Sequence, residues 1–104
     1  TAFAAAYLGD LSYIDYLVDA LSSTFHRMEA RPFLVELSRK PAVLEELYRP
    51  LISGTNDQRR HLAYVLSRSG TKKSISYLDK LTHDSEPRVA RAAIEAIKTL
   101  QARF

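Results

Sequence analysis

The last helical segment of the chain imposes the strongest constraint on the fold. Its apolar residues fall at i, i+4, i+7, i+8 and i+11, and they are Val89, Ala93, Ala96, Ile97 and Leu100. On a helix these positions form one narrow stripe, with charged residues on the opposite side. A single helix with such a stripe does not stay folded alone, and its two alanines allow a neighbouring helix to approach closely. The segment therefore predicts stacked helical hairpins.

The size and composition of the chain set broad limits. Its 104 residues are enough for one domain and include no cysteine. A chain of this length buries roughly two-thirds of its unfolded surface, so it needs no covalent staple. The lack of cysteine excludes disulfides and thiolate zinc sites and is compatible with any compartment. Because no stretch approaches the roughly 20 apolar residues of a membrane span, we expect a soluble chain without membrane insertion.

Glycine and proline divide the sequence into about seven helices. The expected helices cover residues 2–8, 11–21, part of 25–40, the segment opening at Pro41, 58–68, 71–82 and the segment after Pro87. Gly9 ends the first of these helices and Asp10 caps the second. No segment alternates polar and apolar residues with a period of two, so we expect no strands. The predicted fold class is all-α.

The amphipathic spacing also predicts which residues face the core. We expect the following residues to be buried: Ile14, Leu17, Val18, Leu21, Leu44, Leu47, Leu51, Ile52, Leu62, Ala63, Leu66, Ile75, Leu78 and Leu81. Pro32 either kinks one long helix or begins a shorter one, and we favour the second, with Phe33, Leu34 and Leu37 inward. Pro50 is expected to distort the end of its helix, and Asn56 or Asp57 to cap the next one.

Two self-alignments indicate a repeat. An offset of 61 positions aligns Gly9-Asp10, Ile14, Tyr16 and Leu17 with Gly70-Thr71, Ile75, Tyr77 and Leu78. An offset of 30 positions aligns Leu62-Ala63 and Leu66 with Ala92-Ala93 and Ala96. Offsets near multiples of about 30 are typical of helical hairpins that bury their apolar faces by stacking. The expected units are residues 1–9, 10–40, 41–70 and 71–104. Because residues 2–8 would lack a stacking partner, we expect the chain to be a fragment of a longer protein.

The residues of the final repeat resemble a known family. Asp84-Ser85-Glu86-Pro87-Arg88-Val89, followed by Ala93 and Ala96-Ile97, is similar to HEAT repeats, most closely the short type named after phycobilisome lyases. The resemblance covers residues 1–21 and 57–103 and fails over 22–56. It implies a right-handed α-solenoid whose second helices line a concave surface. It also implies a binding function, because most such domains are scaffolds and a minority bind nucleic acid or assist chromophore attachment.

One position departs from the family pattern. HEAT repeats usually carry an arginine directly after the position of Val89, where it bonds an aspartate at the preceding turn. Here that position is Ala90. The resemblance therefore implies either that Arg88 or Arg91 bonds Asp84, or that this ladder is absent from the last repeat.

No residue pattern predicts catalysis, a metal or a cofactor. His26, His61 and His83 are far apart and form no ligand motif, and Glu45 and Glu46 are adjacent, so they point to different sides of a helix. The glycines are isolated at helix ends and form no phosphate-binding loop. We expect no enzymatic activity and no cofactor.

The charge distribution suggests a binding surface. The first 30 residues hold four acidic residues and one basic residue, whereas the remainder holds 14 basic and 8 acidic residues. The 30-residue offset places His61 over Arg91 and Arg68 over Lys98, which predicts a column of basic groups on two successive second helices. The predicted partner-binding residues are Arg60, His61, Tyr64, Arg68, Arg91 and Lys98.

Several roles are open for this column. It can bind an acidic or partly helical protein through arginine forks, or it can bind the phosphates of nucleic acid. It can also be an ordinary solvated face on which Glu95 pairs with Arg91 and Lys98. A separate possibility is that the fragment, which we expect to be monomeric, mainly supports neighbouring repeats. Tyrosines could stack on bases, but we expect Tyr16 and Tyr77 to pack between hairpins.

Overall fold

The computed structural model describes residues 12–104, and the regular structure in this range is entirely α-helical. The helices are α1 (Ser12–Ala20), α2 (Arg27–Leu37), α3 (Pro41–Ser53), α4 (Asn56–Ser69), α5 (Lys72–Asp79) and α6 (Pro87–Arg103). The all-α class is therefore confirmed, with six helices in this part of the chain. The predicted helix over 2–8 and its Gly9-Asp10 boundary lie outside the described residues. None of the described helices has the length and apolar character required to cross a membrane.

The six helices pack in two rows. Helices α1, α3 and α5 contact one another in sequence, as do α2, α4 and α6, and each odd-numbered helix packs on the even-numbered helix that follows it. The connections within these pairs are short, which favours contact between consecutive helices. Each of the predicted units 10–40, 41–70 and 71–104 contains one such pair.

The helices of the even row run in the same direction. Arg27 at the start of α2 forms an ion pair with Asp57 at the start of α4, with 3.5 Å between nitrogen and oxygen. At the other end, Ser38 just after α2 hydrogen-bonds Ser69 in the last turn of α4. Since the starts meet at one end and the ends at the other, α2 and α4 are parallel.

Helix α6 continues this row. Arg103 in its last turn donates hydrogen bonds to the carbonyl oxygens of Arg68 and Ser67 at the end of α4, at 2.9 and 3.1 Å. These carbonyls have no acceptor role inside the helix, and a cation near a helix C-terminus is stabilising. The three even-numbered helices are therefore aligned side by side.

The apolar stripe of α6 lies in the core as its spacing predicts. Val89, Ala93 and Leu100 are completely buried, Ala96 is 2% exposed, and Ile97 is partly buried against the core. Helix α6 packs on α4, whose residues Leu62, Ala63, Val65 and Leu66 are also completely buried. The small side chains of α6 thus share one core with larger side chains of α4.

The expectation for Pro32 is wrong. Helix α2 begins at Arg27, so Pro32 lies inside it rather than at its start. Leu34 and Leu37 are buried as predicted, but Phe33 is 43% exposed. The buried stripe is Ala30, Leu34 and Leu37, and Phe33 is rotated about 100° away from it. Because proline has no N–H, the carbonyl oxygen four positions before Pro32 lacks its helical hydrogen bond. Pro32 is exposed, so water can hydrogen-bond this oxygen instead.

Helix α3 follows its predicted pattern with one exception. Pro41 occupies the first turn, and Leu44, Leu47 and Leu51 are buried. Ile52 is 39% exposed, against expectation, because one further position turns its side chain out of the stripe. Pro50 does not end the helix, which continues beyond it to Ser53.

The start of α4 is capped by a residue other than the two expected. Thr55, rather than Asn56 or Asp57, is the N-cap. Its Oγ1 accepts a hydrogen bond from the backbone N–H of Gln58 at 3.2 Å, and its own N–H donates to Oε1 of Gln58 at 2.9 Å. This reciprocal capping box satisfies two backbone donors, which a single aspartate or asparagine cap would not do.

The odd row contains a tyrosine stack. The rings of Tyr48 on α3 and Tyr77 on α5 are stacked, with centroids 4.0 Å apart. The hydroxyl of Tyr48 is 2.8 Å from Oγ of Ser74, and this hydrogen bond is buried. Tyr77 therefore packs between hairpins as predicted, whereas Tyr16, its expected equivalent, is 66% exposed.

The turn before α6 is bonded to Arg59 of α4, a residue to which the sequence analysis gave no role. Asp84 bonds Arg59 of α4, not Arg88 or Arg91. Its second carboxylate oxygen accepts a hydrogen bond from the backbone N–H of Glu86 at 2.9 Å. The aspartate thus reaches back to the preceding hairpin, and the side chains of Arg88 and Arg91 are exposed.

Candidate functional site

Two adjoining hollows lie on the face of the even row. The first hollow has a volume of about 360 Å³ and is lined by Arg31 of α2, by Arg60, His61, Tyr64, Ser67 and Arg68 of α4, and by Ala92, Glu95, Ala96 and Thr99 of α6. The second has a volume of about 410 Å³ and is lined by Met28, Arg31, Pro32, Val35 and Glu36 of α2 and by Tyr64 and Arg68 of α4. Arg31, Tyr64 and Arg68 line both. We call the two hollows together the basic groove.

The structure brings together four of the six residues predicted to bind a partner. Arg60, His61, Tyr64 and Arg68 all line the first hollow. They lie on one face of α4 because positions i, i+1, i+4 and i+8 are close in angle on a helix. The sequence therefore located this side of the groove.

The other two predicted residues lie outside the hollow. Arg91 and Lys98 are exposed residues of α6, and the neighbouring positions Ala92 and Thr99 line the hollow instead. One position along a helix rotates a side chain by about 100°. Among the lining residues, Ala92 follows His61 and Thr99 follows Arg68 by 31 positions rather than 30, and the predicted column does not continue onto α6.

His61 is neither exposed nor charged, although the predicted basic column required both properties. It is only 7% exposed. Burial is the main cause that lowers its pKa to about 4, and the positive charges of Arg60, Arg27 and Arg31 lower it further, against a smaller opposing effect of Asp57. The imidazole is therefore neutral at physiological pH and adds no charge to the groove.

A cation–π contact separates the two hollows. The guanidinium of Arg31 lies over the ring of Tyr64, 3.8 Å from its centroid. Tyr64 is 40% exposed, so the pair lies at the surface between the hollows. Sequence reasoning missed Arg31 because residues 22–56 did not fit the repeat, although extending the 30-residue offset back from His61 would have reached it.

The arginines of the groove differ in how far their charge is compensated. Arg60 donates to Asp57 at 3.0 Å, and this hydrogen bond is the main cause that lowers the pKa of Asp57. The guanidinium of Arg68 is exposed and has no hydrogen bond or ion pair among residues 12–104. Arg68 is therefore the group in the groove most available to an external anion.

Glu95 brings a negative charge to the α6 side of the groove. It forms no ion pair with Arg91 or Lys98 within the part of the chain that the structure describes. The pairing expected for an ordinary solvated face is therefore not made. Glu95 lines the first hollow, where it faces a predominantly basic set of side chains.

The groove combines positively charged, aromatic and aliphatic groups. In the described range, no three His, Asp or Glu residues are grouped closely enough to hold a metal ion. Comparison with protein family models, with curated proteins and with solved structures gives no match. Guanidinium groups beside an aromatic ring and aliphatic carbons are suited to binding an acidic, partly apolar ligand.

Proposed function

We propose that this protein is a non-enzymatic interaction scaffold that binds an acidic, helical segment of a partner protein in the basic groove. The observation that carries this proposal is the exposed, uncompensated guanidinium of Arg68, which lies between the two hollows beside the Arg31–Tyr64 pair. An arginine in this position can engage a carboxylate through two parallel hydrogen bonds.

The proposal includes a finer description of the fold. The three helix pairs form a right-handed α-solenoid of the HEAT type, in which α2, α4 and α6 are the second helices of their hairpins. The parallel order of these helices and their contacts in sequence support this description. The basic groove then lies on the concave surface, where such solenoids hold their ligands.

A helical partner fits the mixed chemistry of the groove. The second hollow is lined by Met28, Pro32 and Val35, with Met28 71% exposed. An amphipathic helix can place apolar side chains on these residues while acidic residues in the next turn reach Arg31 and Arg68. The complementary charges would also increase the rate of association at low salt.

Nucleic acid is the second candidate, because Arg68 can bind a phosphate as well as a carboxylate. One observation favours a protein partner instead. The face of Tyr64 that a base would stack on is shared with the guanidinium of Arg31.

The role of Arg91 and Lys98 follows from their position. As exposed residues of α6 adjacent to the lining positions, they form an outer rim that steers an acidic partner without contacting the centre of the groove. The alternative is a purely structural role, in which the domain supports neighbouring repeats. In that case, changing the charged residues of the groove would not alter the binding of an acidic peptide.

Fluorescence anisotropy tests the proposal with defined probes. A labelled amphipathic peptide with glutamates along its polar face is compared with the same peptide carrying lysines and with a labelled single-stranded oligonucleotide. We expect the glutamate peptide to bind the protein and the lysine peptide not to bind. Arg68→Glu should raise the dissociation constant at least tenfold, which is about 1.4 kcal/mol.

The control variant is Arg49→Glu. Arg49 is an exposed arginine of α3, in the other row, so this change alters net charge equally and leaves the groove intact. Equal binding by wild type and Arg68→Glu would contradict the proposal. Tighter binding of the oligonucleotide, weakening steeply with salt, would replace it with the nucleic-acid function.

A further inference from the structure

The first hollow contains hydrogen-bonding groups that lack a partner. Nε2 of His61 and Nε of Arg31, both in residues that line it, are shielded from solvent and have no hydrogen bond in the described structure. Nε of the neighbouring Arg27 is in the same state. A buried polar atom without a partner is costly, so such a cluster indicates a ligand that supplies acceptors.

The serine and threonine hydroxyls of the hollow are not available as donors. Oγ of Ser67 donates to the carbonyl oxygen of Tyr64, and Oγ1 of Thr99 donates to the carbonyl oxygen of Glu95 at 3.0 Å. Donors that remain for a ligand include the guanidinium groups of Arg31 and Arg68 and the imidazole of His61. All three belong to one side of the hollow, formed by α2 and α4.

The charge around the hollow matches a dianion. Arg31, Arg60 and Arg68 line it, and Arg27 is near enough to lower the pKa of His61. The acidic groups are Glu95, which lines the hollow, and Asp57, which pairs with Arg60 and Arg27. Four arginines against two carboxylates leave a net charge of +2, which one carboxylate ligand would only half neutralise.

We infer that the first hollow binds the phosphate group of a phosphorylated residue in the partner segment, with Arg31, Arg68 and His61 as its donors. A phosphomonoester carries nearly two negative charges at neutral pH and three strong acceptor oxygens, one for each donor. The imidazole lines the hollow, and in the tautomer that carries its proton on Nε2 this nitrogen is the donor. The inference rests on the proposed function, because it specifies what the same groove recognises.

Proton NMR of the three imidazole rings tests the inference with simple anions. His26 and His83 are exposed and lie outside the groove, so they are internal references for His61. At neutral pH, inorganic phosphate and sulfate should shift the His61 resonances saturably, whereas chloride at equal ionic strength should not. Acetate should bind at least tenfold more weakly than sulfate.

Sulfate also reports on the contact with the imidazole, because it stays dianionic throughout the titration of His61. The positive charges of Arg27, Arg31 and Arg60 lower the pKa of His61, and the negative charge of sulfate offsets this effect. The other charged groups around the ring are Arg68, Asp57 and Glu95. Saturating sulfate should raise the pKa of His61 by about one unit, which means tenfold tighter binding to the imidazolium form. A His61 pKa that sulfate leaves unchanged would remove His61 from the site.

Two substitutions test the ligand set in opposite directions. Arg68→Gln should weaken sulfate binding at least tenfold, and the control Arg49→Gln should leave it unchanged. Glu95→Gln removes a repelling charge and should tighten sulfate binding about threefold to fivefold. A gain of affinity cannot result from misfolding, so unchanged sulfate binding by Glu95→Gln would argue against the hollow as the anion site.

Matched peptides separate the inference from the function on which it rests. The acidic amphipathic peptide is prepared with serine, glutamate or phosphoserine at its central polar position. The phosphoserine peptide should bind at least tenfold more tightly than the glutamate peptide, and Arg68→Gln should abolish the difference. Equal affinity for both would overturn the inference and leave the scaffold function standing, whereas no binding of any peptide would overturn the function itself.

Discussion

Arg59 on α4 donates a hydrogen bond to the carboxylate of Asp84, which lies 25 positions further along the chain in the turn before α6. The guanidinium of Arg59 also donates to Oδ1 of Asn56 at 2.6 Å. The hydrogen bond from Arg59 is the main cause that lowers the pKa of Asp84, and the backbone N–H of Glu86 contributes further. This contact fixes the start of α6 against the start of α4 and thereby sets which residues face each other across the groove.

Removing either partner should lower the melting temperature. Arg59→Gln leaves Asp84 without its cation, and Asp84→Asn leaves a partly buried guanidinium without its anion. The double variant should lose less than the sum of the two single losses, because both remove the same interaction. Thermal denaturation of the four proteins measures this coupling, and strictly additive losses would show that the pair does not stabilise the fold.

The same pair predicts a pH dependence. The folded-state pKa of Asp84 lies below its ordinary value of 3.8, so its stabilising effect is present above that pH and is lost as the pH falls through the folded-state value. Wild type should therefore lose its advantage over Asp84→Asn in acid. An advantage that persists at the lowest pH would contradict this assignment.

The helices were predictable from sequence because their apolar stripes are strong local signals. Leu62, Ala63 and Leu66 on α4 and Val89 and Ala93 on α6 are all completely buried, as their spacing requires. The residues at the margins of stripes were less predictable. Phe33 and Ile52 were expected inside and are 43% and 39% exposed, because a shift of one position turns a side chain by about 100°.

The candidate site was predictable only on α4, for the same physical reason. Arg60 and Arg68 share a helix, so their relative position follows from helical geometry alone. The placement of Arg91 and Lys98 depended on the register between two helices, and an error of one residue removes both from the hollow. The contact of Arg31 with Tyr64 joins different helices, and no local pattern encodes such a contact.

Replacement of Gly70 by alanine should destabilise the protein by about 1 to 3 kcal/mol. A Cβ at this position would lie 2.5 Å from the carbonyl oxygen of Leu66 and 2.9 Å from Oγ of Ser74. The backbone there has an ordinary negative φ of −71°, so the requirement for glycine comes from close approach and not from unusual torsion angles. Urea denaturation of Gly70→Ala measures the effect, with Ser76→Ala on the exposed side of α5 as the control. Equal loss in both variants would contradict the steric explanation.

Replacement of Tyr48 by phenylalanine should cost about 1 kcal/mol. The change removes the buried hydrogen bond to Ser74 and retains the stack on Tyr77. Oγ of Ser74 also accepts a hydrogen bond from the backbone N–H of Thr71 at 3.1 Å, so this hydroxyl keeps one of its two partners in Tyr48→Phe. Tyr48→Ala, which removes the ring as well, should cost about 3 to 5 kcal/mol. Similar losses for the two variants would show that the stack contributes little.

Enlarging the alanine stripe of α6 should destabilise its contact with α4. Ala93 is completely buried, and a leucine there would need space that the surrounding core side chains occupy. Such overpacking typically costs about 1 to 3 kcal/mol. Ala102→Leu, at an exposed position of the same helix, should change the free energy of unfolding by less than about 0.5 kcal/mol. A tolerated leucine at 93 would mean that the two helices can separate without loss.

His61 should make the protein sensitive to mild acid. Its pKa is lowered from 6.5 to about 4 in the folded state, so the unfolded chain takes up a proton over this interval while the folded protein does not. Stability is therefore fully present above about pH 6.5 and falls as the pH decreases towards 4, by about 2 to 3 kcal/mol between pH 7 and pH 4.5.

His61→Gln should remove most of this dependence, because glutamine does not titrate. Urea denaturation of both proteins at the two pH values measures the difference. His26→Gln changes an exposed histidine and should retain the wild-type dependence, and a His61→Gln variant that is equally sensitive to acid would show that His61 is not the group responsible.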